Sequence, residues 1–432
     1  MRKLFLLICL AVAVAAGAKV DFDQYFDGRT LRVDYTFAGD STKQYIYVSE
    51  YCALPKWAGR RVNLDKLLLE GTADMTMRSK ADGKVIYCQS FTTHFQDWTG
   101  TEQATKLKCA YEHVMLMPMP REEVEIEIRL FDFKQNPVTV LKHGFNPKEI
   151  IVRDLGQNTV YPEAKPIFTS GSSDDHIDLA VLAEGYTKEE LPMFYEDAKK
   201  MIEALFETEP YKSNRDKFNV IAVGAESPQS GVSEPAKGIW KQTACGTFFN
   251  FLGMERLLGV PNLRQVNDLL AGVPYEHYLV LANTDTYGGC GVYNSYGVNS
   301  AHHVMSIPVF IHEFGHSFAG LGDEYFYDES YTLYYYPDVE PWNENLTTLY
   351  NFKSKWADLL PKGTEVPTSA EGLDKNDYMT LGVYEGGGGQ SKGVYRPAFN
   401  CRMRTNVVPE FCAVCKRGIQ RVIDYHIKPM KK

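Results

Sequence analysis

His312-Glu313-Phe314-Gly315-His316 sets two imidazoles four residues apart, with a carboxylate beside the first. On a helix, residues at that spacing share a face, so both rings reach one ion about 2 Å away. Glu313 then projects next to them, where a carboxylate can take the proton of an attacking water. Val309, Phe310, Ile311, Phe314 and Phe318 predict an apolar helix over this stretch, and Pro308 is tolerated in its first turn. The pentapeptide alone is weakly specific. The competing reading, a buried helix with two satisfied histidines, leaves the burial of Glu313 uncompensated. A catalytic zinc site takes three protein ligands and keeps one position open, so a third ligand is expected. Asp323 is the first candidate and Glu324 the second. An unbroken helix, rising about 1.5 Å per residue, would carry Asp323 away from His316. The chain must therefore turn back, and Gly320 and Gly322 permit that reversal.

The stretch HEFGHSFAGLGDEY at 312 to 325, with Asn400-Cys401-Arg402-Met403-Arg404 and Phe411-Cys412-Ala413-Val414-Cys415, resembles the bacterial IgA-peptidase family, metallopeptidase family sixty-four. The resemblance implies a zinc-dependent endopeptidase with one catalytic ion and an N-terminal β domain ahead of the catalytic one. It puts His312 and His316 in the role of metal ligands and Glu313 in that of general base. Met403 looks like the methionine of a metzincin-type turn beneath the metal, with a plain core methionine as the other reading. The sequence departs from the usual metzincin pattern by one inserted residue before the glycine and by Asp323 where a histidine stands. That departure bears on the third ligand.

Other candidates are less specific. His302 and His303 precede the helix and read as a core or exposed pair. Tyr325 is one of several nearby tyrosines able to donate to a developing oxyanion. No GxSxG nucleophile signature occurs.

Two regions must position this chemistry. From 19 to 156, short runs at 31–37, 44–48, 84–87, 106–117 and 122–133 predict an antiparallel β-sandwich. In the last run Val124, Ile126, Ile128 and Leu130 alternate with charged residues, the period of a half-buried strand. A polar, proline-containing linker is expected at 157–175, followed by an α/β catalytic domain of zincin (metzincin) type at 176–432. Within it, strands are predicted at 176–183, 218–223 and 278–282 and a helix at 262–271. Another helix is expected to open with a Thr187/Glu190 capping box. The Gly/Tyr-rich segment 284–300 reads as a loop or edge strand, and Gly386 to Gly389 as a mobile loop beside a cleft. The expected fold class is thus α+β.

Residues 1–18 read as a signal peptide: Arg2 and Lys3 precede an apolar run that ends in Ala16-Gly17-Ala18. Secretion, whether periplasmic, extracellular or cell-surface, is the expectation. The formal charge of -9 offers no basic stripe for nucleic acid, and no segment beyond the leader reads as a stable membrane insertion. The eight cysteines after the leader permit disulfides in an exported protein. Cys412 and Cys415 form a CxxC without a second one to complete a zinc ribbon, and a structural role is favoured.

The expected function is hydrolysis of peptide bonds in extracellular proteins by a zinc-activated water with Glu313 as base. Host immunoglobulin and mucin-type glycoproteins stand among the open substrates. The rivals are a cell-wall peptide amidase on the same zinc site and a non-catalytic glycoprotein-binding protein.

Overall fold

A computed structural model describes residues 19–156, 159–327, 334–374 and 377–430. The expected signal peptide at 1–18, and Tyr331 among the tyrosines near Tyr325, lie outside the described residues. The fold is α+β.

The N-terminal region carries two four-stranded sheets. One has the order β5-β1-β2-β8, from β1 (Phe26–Gly39), β2 (Gln44–Leu54), β5 (Cys109–Pro120) and β8 (Arg153–Asp154). The other has the order β4-β3-β6-β7, from β3 (Ala73–Ser79), β4 (Val85–Phe91), β6 (Val124–Phe131) and β7 (Pro137–Phe145). All pairings are antiparallel except that of β8 with β2. Both sheets supply one core, with Val33, Tyr35 and Phe37 from the first and Met75, Ile126 and Ile128 from the second. β6 alternates buried and half-buried residues along its length, as its period-two pattern predicts. Two short helices, α1 (Phe22–Tyr25) and α2 (His94–Thr99), complete this region.

The second region is built on a six-stranded sheet of order β13-β14-β12-β10-β11-β9. Its strands are β9 (Glu163–Phe168), β10 (Ile177–Glu184), β11 (Phe218–Gly224), β12 (His277–Ala282), β13 (Gly289–Val292) and β14 (Tyr296–Ser300). The four central strands are parallel, and β9 and β13 run antiparallel at the two edges. β9 falls within the segment expected to be a linker. Every residue of β10 and β12 is buried, because both faces of the sheet are covered. On one side lie α3 (Leu191–Leu205), α5 (Ser306–Ala319) and α6 (Ala413–Ile427); on the other lies α4 (Leu263–Leu270). The Thr187/Glu190 capping box forms and opens a short 3-10 turn that leads into α3.

The segment 284–300 contains an edge hairpin, β13 and β14. Gly386 to Gly389 is also structured: β16 (Leu381–Gly387) and β17 (Gly389–Ala398) meet there in a hairpin, and β17 pairs with β15 (Phe326–Tyr327). Backbone pairing takes the place of the expected mobile loop, since the Gly388 and Gly389 amides donate to the Asp323 and Tyr325 carbonyls at 2.7 and 3.0 Å. Among the described residues the cysteines are free thiols, and no helix is long and apolar enough to cross a membrane.

Candidate active site

α5 presents Phe310, Phe314 and Phe318 to the core shared with α3 and α6, so its other face, carrying Glu313 and His316, turns towards a cleft. The edge strand β13 lies against this helix because it lacks side chains where the two meet. A Cβ at Gly289 would sit 2.9 Å from Val309 Cγ1 and 3.0 Å from Glu313 Cγ, and one at Gly291 would collide with the Glu313 carbonyl oxygen. The glycines of this segment therefore serve close strand–helix approach.

The helix ends at Gly320, whose backbone is left-handed at φ 61°. Its amide donates to His316 O at 2.9 Å, and the Leu321 amide donates to Gly315 O at 3.1 Å. The chain folds back as expected and brings Asp323 to the two histidines. Asp323 Oδ1 lies 3.1 Å from His312 Nε2 and 3.1 Å from His316 Nε2, and the two Nε2 atoms are 3.0 Å apart. Glu324 points away, into a buried pocket where its Oε1 accepts from Asn345 Nδ2 at 2.9 Å. Of the two acidic candidates, only Asp323 stands with the histidines.

The other ring nitrogens are tied down. His312 Nδ1 donates to the carbonyl of Arg402 at 2.9 Å and His316 Nδ1 to that of Leu321 at 2.6 Å. A carbonyl only accepts, so Nδ1 carries the proton in both neutral rings and both Nε2 lone pairs face the carboxylate oxygen. Three acceptors converging within 3.1 Å of one another repel unless a cation lies between them. This donor set of two imidazoles and one carboxylate fits a divalent ion such as zinc. Without an ion a proton must serve instead. Burial opposes charge on His316, yet Asp323 outweighs it and lifts the imidazole to about 9. Burial likewise pushes the Asp323 carboxyl up, but the two imidazoles outweigh it and hold it far below the ordinary carboxylate range.

Glu313 stands beside this triad, and burial pushes its carboxyl upward against the pull of the two histidines. Met403 is fully buried beneath the helix at Gly315, where a Cβ would lie 2.9 Å from its Sδ. Its carbonyl accepts the Glu324 amide at 2.8 Å. Met403 thus packs against α5 at the glycine of the histidine motif.

The cleft over the triad has a volume of about 1320 Å³ and is bordered by Gly289, Arg256, Tyr325, Tyr335 and Gly388. Burial, joined by the Asp323 carboxylate, pushes the Tyr325 phenol well up, so it keeps its proton. His302 and His303 take no part: His302 Nε2 meets Asp197 Oδ2 at 2.8 Å, and His303 accepts the Met305 amide at 3.1 Å.

Three contributors gave no signal in the sequence. The carbonyls of Arg402 and Leu321 act through the backbone, which residue type does not report. Arg256 reaches the cleft from a distant loop, with its guanidinium 5.3 Å from the Tyr325 ring centroid and 2.8 Å from the Tyr327 hydroxyl.

A helix, a glycine reversal and a carboxylate converging on two tethered imidazoles define a metallopeptidase-like site, and the family comparison agrees in class. The family model for IgA Peptidase M64 matches residues 166–378 and 369–423, and that for the Peptidase M64 N-terminus matches 21–142. The chain belongs to the IgA peptidase M64 family. A search of curated proteins gave no match.

Proposed function

We propose that this chain is an exported zinc endopeptidase in which His312, His316 and Asp323 hold one catalytic ion and Glu313 is the general base. The observation that carries the reading is the convergence of His312 Nε2, His316 Nε2 and Asp323 Oδ1, each 3.0 to 3.1 Å from the others, with both Nδ1 atoms spent on carbonyls. A zinc ion at such a donor set supplies Lewis-acid polarisation of a carbonyl and lowers the pKa of water.

The chain's own residues do the rest. Glu313 takes the proton of the attacking water and delivers it to the leaving amine; its upward-shifted carboxyl suits it to hold that proton between the two steps. Tyr325, kept protonated at the cleft wall, donates to the oxygen that gains charge as the carbonyl is attacked. The substrate lies extended along the edge strand β13, which runs beside Glu313 and gives main-chain hydrogen bonds to a peptide. The paired sheets of 19–156 are read as a β-sandwich ahead of a zincin-type catalytic domain, and the apolar leader delivers the protein outside the cytoplasm. Extracellular proteins are the substrate class, with host immunoglobulin or mucin-type glycoproteins as candidates.

The test pairs metal analysis with digestion of a broad peptide library by the mature wild type and by Glu313→Gln. Wild type is expected to cleave and to stop when chelated. Glu313→Gln is expected to keep its active-site zinc and lose about 10²- to 10⁴-fold in rate, the share a positioned base supplies. Equal cleavage by both proteins would refute the assignment.

A further inference from the structure

Glu324, the neighbour that turns away from the histidines, ends in a second cluster of ligand-type atoms. One ligand atom from each of Glu324, Cys401, Cys412 and Cys415 lies within 4.8 Å of every other, and all four residues are buried. They come from three separate stretches: the irregular chain between the Gly320 reversal and β15, the turn beyond β17, and the start of α6, where Cys412 is the N-cap and Cys415 sits in the first turn. We propose that Cys401, Cys412, Cys415 and Glu324 bind a second, structural zinc ion.

Four observations support this site. Cys401 Sγ and Cys415 Sγ are 3.7 Å apart. Thiolates at about 2.3 Å from one tetrahedral ion stand about 3.8 Å from each other, whereas a disulfide holds its sulfurs at about 2 Å. Glu324 Oε2 is fully buried with no hydrogen-bond partner, although Oε1 is engaged by Asn345 Nδ2 at 2.9 Å and Cys415 Sγ at 3.1 Å. An orphaned carboxylate oxygen among three thiols is costly unless a cation answers it. The Cys412 amide donates to Cys401 Sγ at 3.2 Å, the kind of outer contact that steadies a metal-bound thiolate. Arg396 and Arg404 carry positive charge towards Glu324 and offset the excess negative charge of three thiolates and a carboxylate around a divalent ion. A redox role for the CxxC does not fit, because the thiols are at most 1% exposed and no partner protein can reach them. The soft, closed donor set matches structural zinc.

The site would steady the catalytic one. Asp323 and Glu324 are consecutive and point to opposite centres, and the 401–403 turn serves both: Cys401 as a ligand here, the Arg402 carbonyl on His312 and the Met403 carbonyl on the Glu324 amide. A bound ion would fix the loop that delivers Asp323.

The experiment is zinc analysis of the full mature chain, purified without chelator, as wild type and as the His312→Ala/His316→Ala variant. Two zinc ions per chain are expected in the first and one in the second, with none once Cys412→Ser is added. Since that last change can unfold the protein, the double-histidine variant is also loaded with cobalt(II). A thiolate-to-cobalt charge-transfer band is expected. Absence of tightly bound metal from the double-histidine variant, bound cobalt lacking that band, or a disulfide among these three cysteines in thiol titration would each overturn the proposal.

Discussion

Two histidines, one from each region of the molecule, are driven in opposite directions. His113, on β5, stacks between Phe37 and Phe91 with ring centroids 5.1 and 4.6 Å away, its Nε2 has no partner, and burial alone pushes the imidazole down to about 3. His316, on α5, is largely covered too, but Asp323 faces its Nε2 and a carbonyl its Nδ1, and the imidazole rises to about 9. Burial by itself makes a histidine an aromatic filler. A converging carboxylate and a backbone acceptor on the far nitrogen suit it to hold a cation.

The largest expected effect comes from erasing that distinction. Asp323→Ala leaves the histidine pair with its carbonyl tethers but no carboxylate, which is close to the condition of His113. Zinc affinity is expected to fall by more than the roughly 10- to 100-fold typical of losing an outer-sphere partner, measured by chelator competition on a protein whose other contacts are intact. In the metal-free variant His316 is expected to titrate far below 9 by NMR. Unchanged zinc affinity would mean that Asp323 is not a ligand and that the comparison rests on burial alone.

The converse experiment probes the filler histidine. The folded-state value of His113, about 3, lies below the unfolded value of about 6.5. Its contribution to stability is therefore complete above about pH 6.5, is lost progressively as the pH falls towards 3, and is gone below that. Between pH 7 and pH 4 one such group costs on the order of 3 kcal/mol. Phenylalanine occupies the same stacked space without titrating. His113→Phe is expected to flatten the acid limb of urea-unfolding stability by about that amount, while His277, also held near 3 by burial, still titrates in both proteins. An acid limb of equal steepness in both would show that His113 is hydrated or charged in the folded protein.

These contrasts also explain what was legible in the sequence. His312, Glu313 and His316 announce themselves because helical periodicity converts their spacing into geometry, and Asp323 follows from Gly320, whose left-handed conformation only a few residues tolerate. The central strands β10, β11 and β12 were legible as apolar runs, since strands buried on both faces carry little polar punctuation. β3 was not: Ala73, Met75 and Met77 make its buried face without a β-branched residue among them. β7 was hidden because it is an edge strand with an exposed face. The hairpin at Gly388 reads in the sequence as a mobile loop because four glycines suggest freedom, whereas its amides are held by Asp323 and Tyr325 carbonyls from another segment. The cysteine cluster escaped because its fourth member, Glu324, is a carboxylate already claimed by the neighbouring motif.

The smallest expected effect concerns the contact between the helix and the turn beneath it. Gly315 is a helix-interior glycine, so alanine there should gain about 1 kcal/mol from backbone propensity. Its Cβ would also meet Met403 Sδ at 2.9 Å and Phe411 Cε1 at 3.4 Å, and overpacking a core typically costs about 1–3 kcal/mol. Gly315→Ala is thus expected to destabilise by about 1 kcal/mol net. In a Met403→Ala background the closest clash disappears while the helix gain remains, so the same substitution should turn stabilising; a double-mutant cycle in urea reads the coupling directly. If Gly315→Ala has the same effect in both backgrounds, the turn at Met403 does not abut the helix. If the sign reverses, the glycine inside the histidine motif is there to seat the turn whose Arg402 carbonyl orients His312, which is a contact the filler histidine of the other region does without.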